Sequence, residues 1–346
     1  MRWLLGLSLF VMHARVIGLP VLDAVAPYNS VSSGSCVATA VEERERQIFK
    51  EWVVKLIPRV SETRFRRFRK EVLKHYPRHL HITEFVSFGG VQSSLIMQWA
   101  FHTLPCNWYN DGDGLKHIRP CRVPKVISYR ELHLSRVVYL FDDPRIALLS
   151  LYKRSYQKPQ LKKTRSCARP AVLTPQLKQA ASNISEYFRN EGGDIFGFED
   201  HFVHWKRGAA ELNVAVLFLR SSSVHRYLSE LSCFLHLPIE DAAPVALMVP
   251  PRETKLSDCT LQQGAVLNKT FGDLLRKMKE VTDCRIYLPN GQDRACVSDS
   301  HIAQEATKPP DTQQPKGVEQ HLRNIHYQVQ QLQQQIDKIL VATDKT

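Results

Sequence analysis

The sequence predicts an α/β fold: three layers, α/β/α, with a central parallel sheet, plus a C-terminal helix of coiled-coil type. Three observations predict it. Short apolar runs, TEFVSF (83–88), SRVVYLF (135–141) and NVAVLFLR (213–220), have the length of buried strands. Segments with helical apolar spacing separate them, which is the pattern of βαβ units and of a parallel sheet covered on both faces. Near the C-terminus, Val318, Leu322, Ile325, Val329, Leu332, Ile336 and Ile339 recur at alternating spacings of four and three, a heptad seam.

In chain order, residues 1–40 read as a targeting or flexible segment. Arg2 precedes an apolar run that suits a signal-peptide core and is too short to span a bilayer. No acid occurs before Asp23, so an organelle transit peptide or a misassigned start stays open. Residues 41–299 form the main domain. Ile48, Trp52, Val53 and Ile57 give its first helix an apolar face. Further helices are expected at 93–103, 144–155, 175–190 and 224–235. The polar, proline-bearing stretch 300–317 reads as a linker, and 318–342 as the coiled-coil helix. Its seam implies a homo- or hetero-oligomer through 318–340; a single helix docked on the main domain is the alternative.

The formal net charge is +13 over 346 residues, which favours an anionic partner or a solvated basic surface. The basic residues cluster at 61–80 and at 151–170, and the second cluster contains no acid. Aromatics interleave the first, yet no nucleic-acid module is legible, so nucleic acid is not the expected partner. The eight cysteines form no C-x-x-C pair and no zinc spacing. Their even number permits disulfides without specifying them. Two acceptor triplets for N-glycosylation, at Asn183 and Asn268, favour the secretory route.

The chemistry is expected at GGVQSS (89–94), between a strand and a helix. Small residues permit a tight turn that aims successive N–H groups at one point. The helix N-terminus adds partial positive charge, and the Ser93 and Ser94 hydroxyls can donate to an oxyanion. The spacing G-x-x-x-x-G-K-[ST] is absent, which argues against an ordinary nucleoside triphosphatase. A strand-to-helix corner without ligand is the plainer alternative.

Further segments follow in order: VVYLFDDPRIALLSLYKRSY (137–156), FGFEDHFVHWKRG (196–208), VAVLFLRSSSVHRYLSELSCFLHLP (214–238) and LNKTFGDLLRKM (267–278). Together with the glycine turn they resemble the sulfotransferase family, a P-loop fold, over roughly residues 83–285. The resemblance implies 3′-phosphoadenosine 5′-phosphosulfate as co-substrate and no metal. It implies that Gly89, Gly90, Val91, Gln92, Ser93 and Ser94 hold the 5′ side, and that Ser150 holds the 3′-phosphate. Gly90 stands where the family commonly has lysine, and Asp142 where it usually has arginine. Arg145 is a replacement cation, or simply a surface arginine at a helix start. Lys116 and His117 lie where the family often has a lysine-threonine-histidine stretch, which implies His117 as base and Lys116 as charge stabiliser. Trp205 is expected in the core.

The expected function is transfer of a sulfuryl group to a hydroxyl or amine acceptor, itself anionic if the basic stretch 151–170 lines its approach. The expected compartment is the secretory or Golgi lumen, with organelle and cytoplasm as alternatives. The competing reading is a catalytically altered phosphate-binding interaction protein on the same fold, favoured by Gly90 and Asp142.

Overall fold

The computed structural model describes residues 36–60, 76–108, 114–164, 174–190, 192–248 and 254–299. All lie in one unit, Pro27–Ala303. The expected targeting segment before 36, most of the basic cluster at 61–80, the linker and the heptad seam fall outside the described residues.

The elements are α1 (Ala40–Val60), β1 (His81–Ser87), α2 (Ser93–Thr103), α3 (Val123–Tyr129), β2 (His133–Phe141), α4 (Pro144–Lys153), α5 (Gln157–Thr164), α6 (Pro175–Ala180), α7 (Ile184–Arg189), α8 (Phe198–Leu212), β3 (Ala215–Arg220), α9 (Leu228–Leu235), α10 (Ile239–Met248), α11 (Leu261–Val281), β4 (Cys284–Tyr287) and β5 (Asp293–Ala295). Helix starts follow local chemistry. Asp143, Thr174, Asn183 and Thr260 accept N–H bonds from the first turns they precede, which satisfies donors that have no carbonyl of their own helix.

The sheet order is β1-β2-β3-β4-β5. Strands β1 to β3 are parallel, whereas β4 and β5 are antiparallel. The expected parallel sheet is therefore a mixed one. The two antiparallel strands, CRIY and DRA, are four and three residues long, too short to carry a legible alternation. The Cys284–Cys296 disulfide ties this edge hairpin together. Residues 82–87 of β1, the last six of β2 and the first five of β3 are all buried. Successive strand residues point to opposite faces, so both faces of the parallel part are covered.

Register brings the carboxyl ends together: Ser87 pairs with Leu140, and Phe141 with Arg220. Behind them Tyr139 stacks on Phe218 at 4.6 Å, with Phe202 of α8 edge-on to Phe218 at 5.2 Å. A second disulfide, Cys36–Cys233, links the start of the described chain to α9, and Cys121 is also disulfide-bonded. Among the described residues no helix is long and apolar enough to cross a membrane.

Candidate functional site: the carboxyl end of β1

Strand β1 is flanked on both edges. On one side lies β2. On the other lie Pro105 to Asn107 and, at its carboxyl end, Lys116: Thr83 bridges Cys106 in parallel sense, and its N–H donates to Pro105 O at 3.0 Å. The Asn107 side chain then takes the place of a strand. Its Oδ1 accepts from Phe85 N at 2.7 Å and its Nδ2 donates to Phe85 O at 2.9 Å. Ser87 N donates to Lys116 O at 2.9 Å. The chain thus leaves β1 through α2 toward one side and returns to the other as β2. In open α/β sheets such a reversal leaves a crevice at the carboxyl ends of the strands, the usual place for a ligand.

The turn 89–94 sits at that crevice. Gly89, Gly90 and Gln92 have φ of +92°, +72° and +57°. The two glycines are dictated by packing as well as by conformation. A Cβ on Gly90 would lie 2.3 Å from Ala147 O, and one on Gly89 would lie 2.7 Å from Gln160 Cδ. The turn is therefore wedged between α4 and α5, and Gln160 Nε2 donates to Phe88 O at 2.8 Å. Val91 is fully buried. A lysine at position 90 would require α4 to move, so the glycine there is a packing requirement of this fold.

The polar groups gather on the side of the turn toward α2. Ser93 Oγ and Ser87 Oγ share a hydrogen bond of 3.0 Å. Lys116, buried although cationic, donates from Nζ to Ser94 Oγ at 2.5 Å. Ser94 itself is exposed. An ammonium thus stands at the positive end of the α2 dipole, beside first-turn N–H groups that have no carbonyl within their own helix. The two sources of positive potential add, and an oxyanion is the ligand that suits them.

His117 Nδ1 lies 2.7 Å from Ser87 O. A carbonyl only accepts, so Nδ1 carries the proton and Nε2 is the basic nitrogen. The peptide after it is held by two rings. His201 Nε2 and Trp205 Nε1, both on α8, lie 3.1 and 3.0 Å from Ile118 O, and His201 Nδ1 meets the Tyr139 hydroxyl at 2.9 Å. Burial, then the charges of Arg119 and His117, lowers the His201 pKa to about 3. The ring is therefore neutral and positions the 115–119 segment. Trp205 lies in the core, and its N–H aims at the segment carrying Lys116 and His117.

The α4 side is arranged differently from the expectation. Asp142 Oδ2 accepts from Ser221 Oγ and Ser222 N, each at 3.0 Å, with Arg220 Nη1 3.8 Å from Oδ1. Its carboxylate clamps the end of β2 to the turn after β3. Arg145 is turned onto its own helix cap: Nε lies 3.0 Å from Asp143 Oδ1, and Nη1 donates to Asn268 Oδ1 at 2.6 Å. The hydrogen bond to Asp143 raises its pKa. Ser150 is half-buried, three residues beyond Ala147, against which Gly90 packs. The structure thus brings Ser93, Ser94, Lys116 and His117 together, leaves Ser150 half-buried on α4, and engages Arg145 elsewhere. Ser87, Asn107 and Gln160 escaped the sequence reading; a strand serine, a loop asparagine and a glutamine in a basic helix carry no motif.

A cavity of about 440 Å³ is lined by Arg119, Asp194, Gly197, Glu199, Asp200, Val203 and Lys277. Two ion pairs lie within the wall, Arg119 with Asp200 and Lys277 with Glu199, and the Asp194 carboxylate accepts from Phe198 N and Glu199 N. Neither this cavity nor the small one between α1 and the amino ends of β1 and β2 is lined by residues 89–94. Among the described residues no cluster of His, Cys, Asp or Glu could hold a metal ion.

No protein-family model matches the chain, and no curated protein sequence matches it. Among solved structures, it is similar to mouse sulfotransferase SULT7A1 complexed with PAP, at 13% identity, over 61% of this chain and 93% of that one, with a TM-score of 0.35. A likeness of that strength does not decide the family of this chain.

Proposed function

We propose that the chain binds a phosphosulfate nucleotide at the α2 N-terminus and transfers its sulfuryl group to a hydroxyl or amine acceptor. The observation that carries this reading is the Lys116 ammonium on Ser94 Oγ at the positive end of α2, with the His117 imidazole oriented beside it. The order of segments along the sequence supports 3′-phosphoadenosine 5′-phosphosulfate as the donor. Ser93, Ser94 and the first N–H groups of α2 hold the 5′-phosphate side, and Ser150 contributes from α4. Arg145 has no part in this reading, because its guanidinium is engaged by Asp143 and Asn268.

His117 Nε2 takes the acceptor's proton while the acceptor oxygen or nitrogen bonds to sulfur. The bond from sulfur to the phosphate oxygen breaks, and adenosine 3′,5′-bisphosphate leaves. Lys116 stabilises the negative charge that builds on the departing oxygen. The Cys36–Cys233 and Cys284–Cys296 bonds support an oxidising compartment, the secretory lumen, for this reaction.

The test has two arms. Adenosine 3′,5′-bisphosphate at 100 times its Kd stabilises a protein that binds it by about 2.7 kcal/mol, read as a raised melting temperature. Lys116→Met weakens that binding about 10- to 100-fold, the scale of one charge-assisted bond. Transfer of labelled sulfuryl is then scored over hydroxyl and amine acceptors. His117→Asn lowers transfer roughly 10²- to 10⁴-fold and leaves the thermal shift in place. No shift at millimolar nucleotide overturns the reading. A second reading, binding without transfer, is favoured by the absence of space for a lysine at position 90. A nucleotide-induced shift with no transfer to any acceptor decides for it.

A further inference from the structure

We infer that Asn183 carries an N-linked glycan and that Asn268, the other acceptor triplet, does not. Both triplets are complete, Asn183-Ile184-Ser185 and Asn268-Lys269-Thr270, and both asparagines are exposed. The fold treats them oppositely.

Asn183 precedes α7 in extended conformation, with φ −157° and ψ 168°. Its Oδ1 accepts from Glu186 N at 2.9 Å, so the carboxamide folds over the first turn, where Ser185 sits. The acceptor triplet needs the carboxamide and the hydroxyl near each other, and this cap brings them to the same turn. Ser185 is also exposed. Modification consumes one hydrogen of Nδ2 and leaves Oδ1 unchanged, so the cap survives it.

Asn268 lies inside α11, a helix of 21 residues. Residues two apart on a helix lie about 200° apart around the axis and do not face each other. Thr270 Oγ1 is turned away, accepting from Gly193 N at 3.2 Å. Asn268 Oδ1 accepts from Arg145 at 2.6 Å, which ties α11 to the start of α4. That bond, like the cap at Asn183, survives modification of Nδ2, so what separates the two triplets is the helical geometry that holds Thr270 away from Asn268.

In the reaction, Asn183 Nδ2 bonds to the anomeric carbon of an oligosaccharide borne on a lipid diphosphate. The anomeric carbon–oxygen bond to the diphosphate breaks, the lipid diphosphate departs, and the Nδ2 proton passes to a base of the transferase. The two disulfides point independently to the oxidising lumen where such donors act. The inference is independent of the nucleotide reading.

The test is expression of the full chain in a glycoprotein-secreting cell line, with electrophoretic mobility read before and after treatment with a peptide N-glycosidase. One sensitive step is expected in the parent and in Asn268→Gln, and none in Asn183→Gln. Ser185→Ala keeps the helix cap and is also expected to lose the step, so its loss reports the triplet and not the fold. No step in the parent, two steps, or a step that disappears with Asn268→Gln overturns the inference.

Discussion

Replacing Gly90 by alanine tests whether the turn after β1 is built to fit its neighbours. The added Cβ would lie 2.3 Å from Ala147 O and 2.8 Å from Ala147 C and Cα, all main-chain atoms of α4. No rotamer relieves such a contact, so either the turn or the helix shifts. The position also has φ of +72°, where a residue with a Cβ pays about 1–2 kcal/mol. Overpacking against a rigid element adds about 1–3 kcal/mol, so Gly90→Ala is expected to lose roughly 2–5 kcal/mol. Gly272, exposed in the middle of α11 with nothing near its missing Cβ, is the control. Gly272→Ala is expected to gain about 0.8–1 kcal/mol from helix propensity alone. Urea unfolding of both variants measures the difference as a shift in midpoint at constant slope. A Gly90→Ala protein as stable as its parent, alongside the expected gain for Gly272→Ala, would refute the wedge between α4 and the turn.

Three further outcomes are expected. His201→Leu removes the ring that joins Tyr139 to Ile118; Ile118 O keeps Trp205, the Tyr139 hydroxyl is orphaned, and stability falls by about 1–3 kcal/mol, measured by chemical denaturation. Cys233→Ser opens a cross-link between residues 197 apart in sequence and is expected to cost about 2–5 kcal/mol, measured by denaturation without reductant, because reductant also opens Cys284–Cys296. Glu42 gives an acid limb to stability. Burial alone would raise its pKa, but bonds from His236 and Thr39 and the charge of Arg136 outweigh it, lowering the pKa from 4.5 to about 2. A depressed carboxylate stabilises the fold above its unfolded value, so this contribution is complete above pH 4.5 and is lost as pH falls toward 2. Glu42→Gln flattens that limb in melts taken across the range.

The three parallel strands and the helices between them were legible because their signals are local. Runs such as SRVVYLF and NVAVLFLR are apolar for a strand's length whatever surrounds them. The glycine turn and the two serines were legible for the same reason, as one short stretch whose chemistry is written in neighbouring residues, whereas Lys116 and His117 came only through the resemblance to sulfotransferases. What the sequence could not state was how distant stretches share one atom. Ile118 O receives two rings from α8, more than eighty residues away. Asn107 stands in for a strand through its side chain, which leaves no alternation to read. Arg145 reads as a free cation until Asp143 and Asn268 are placed beside it, and Gly90 reads as a lost lysine until Ala147 is seen to fill the space. Local propensity and periodicity fixed the elements. Packing between elements far apart in the chain decided which side chains remain available for a ligand and which are consumed in holding the fold.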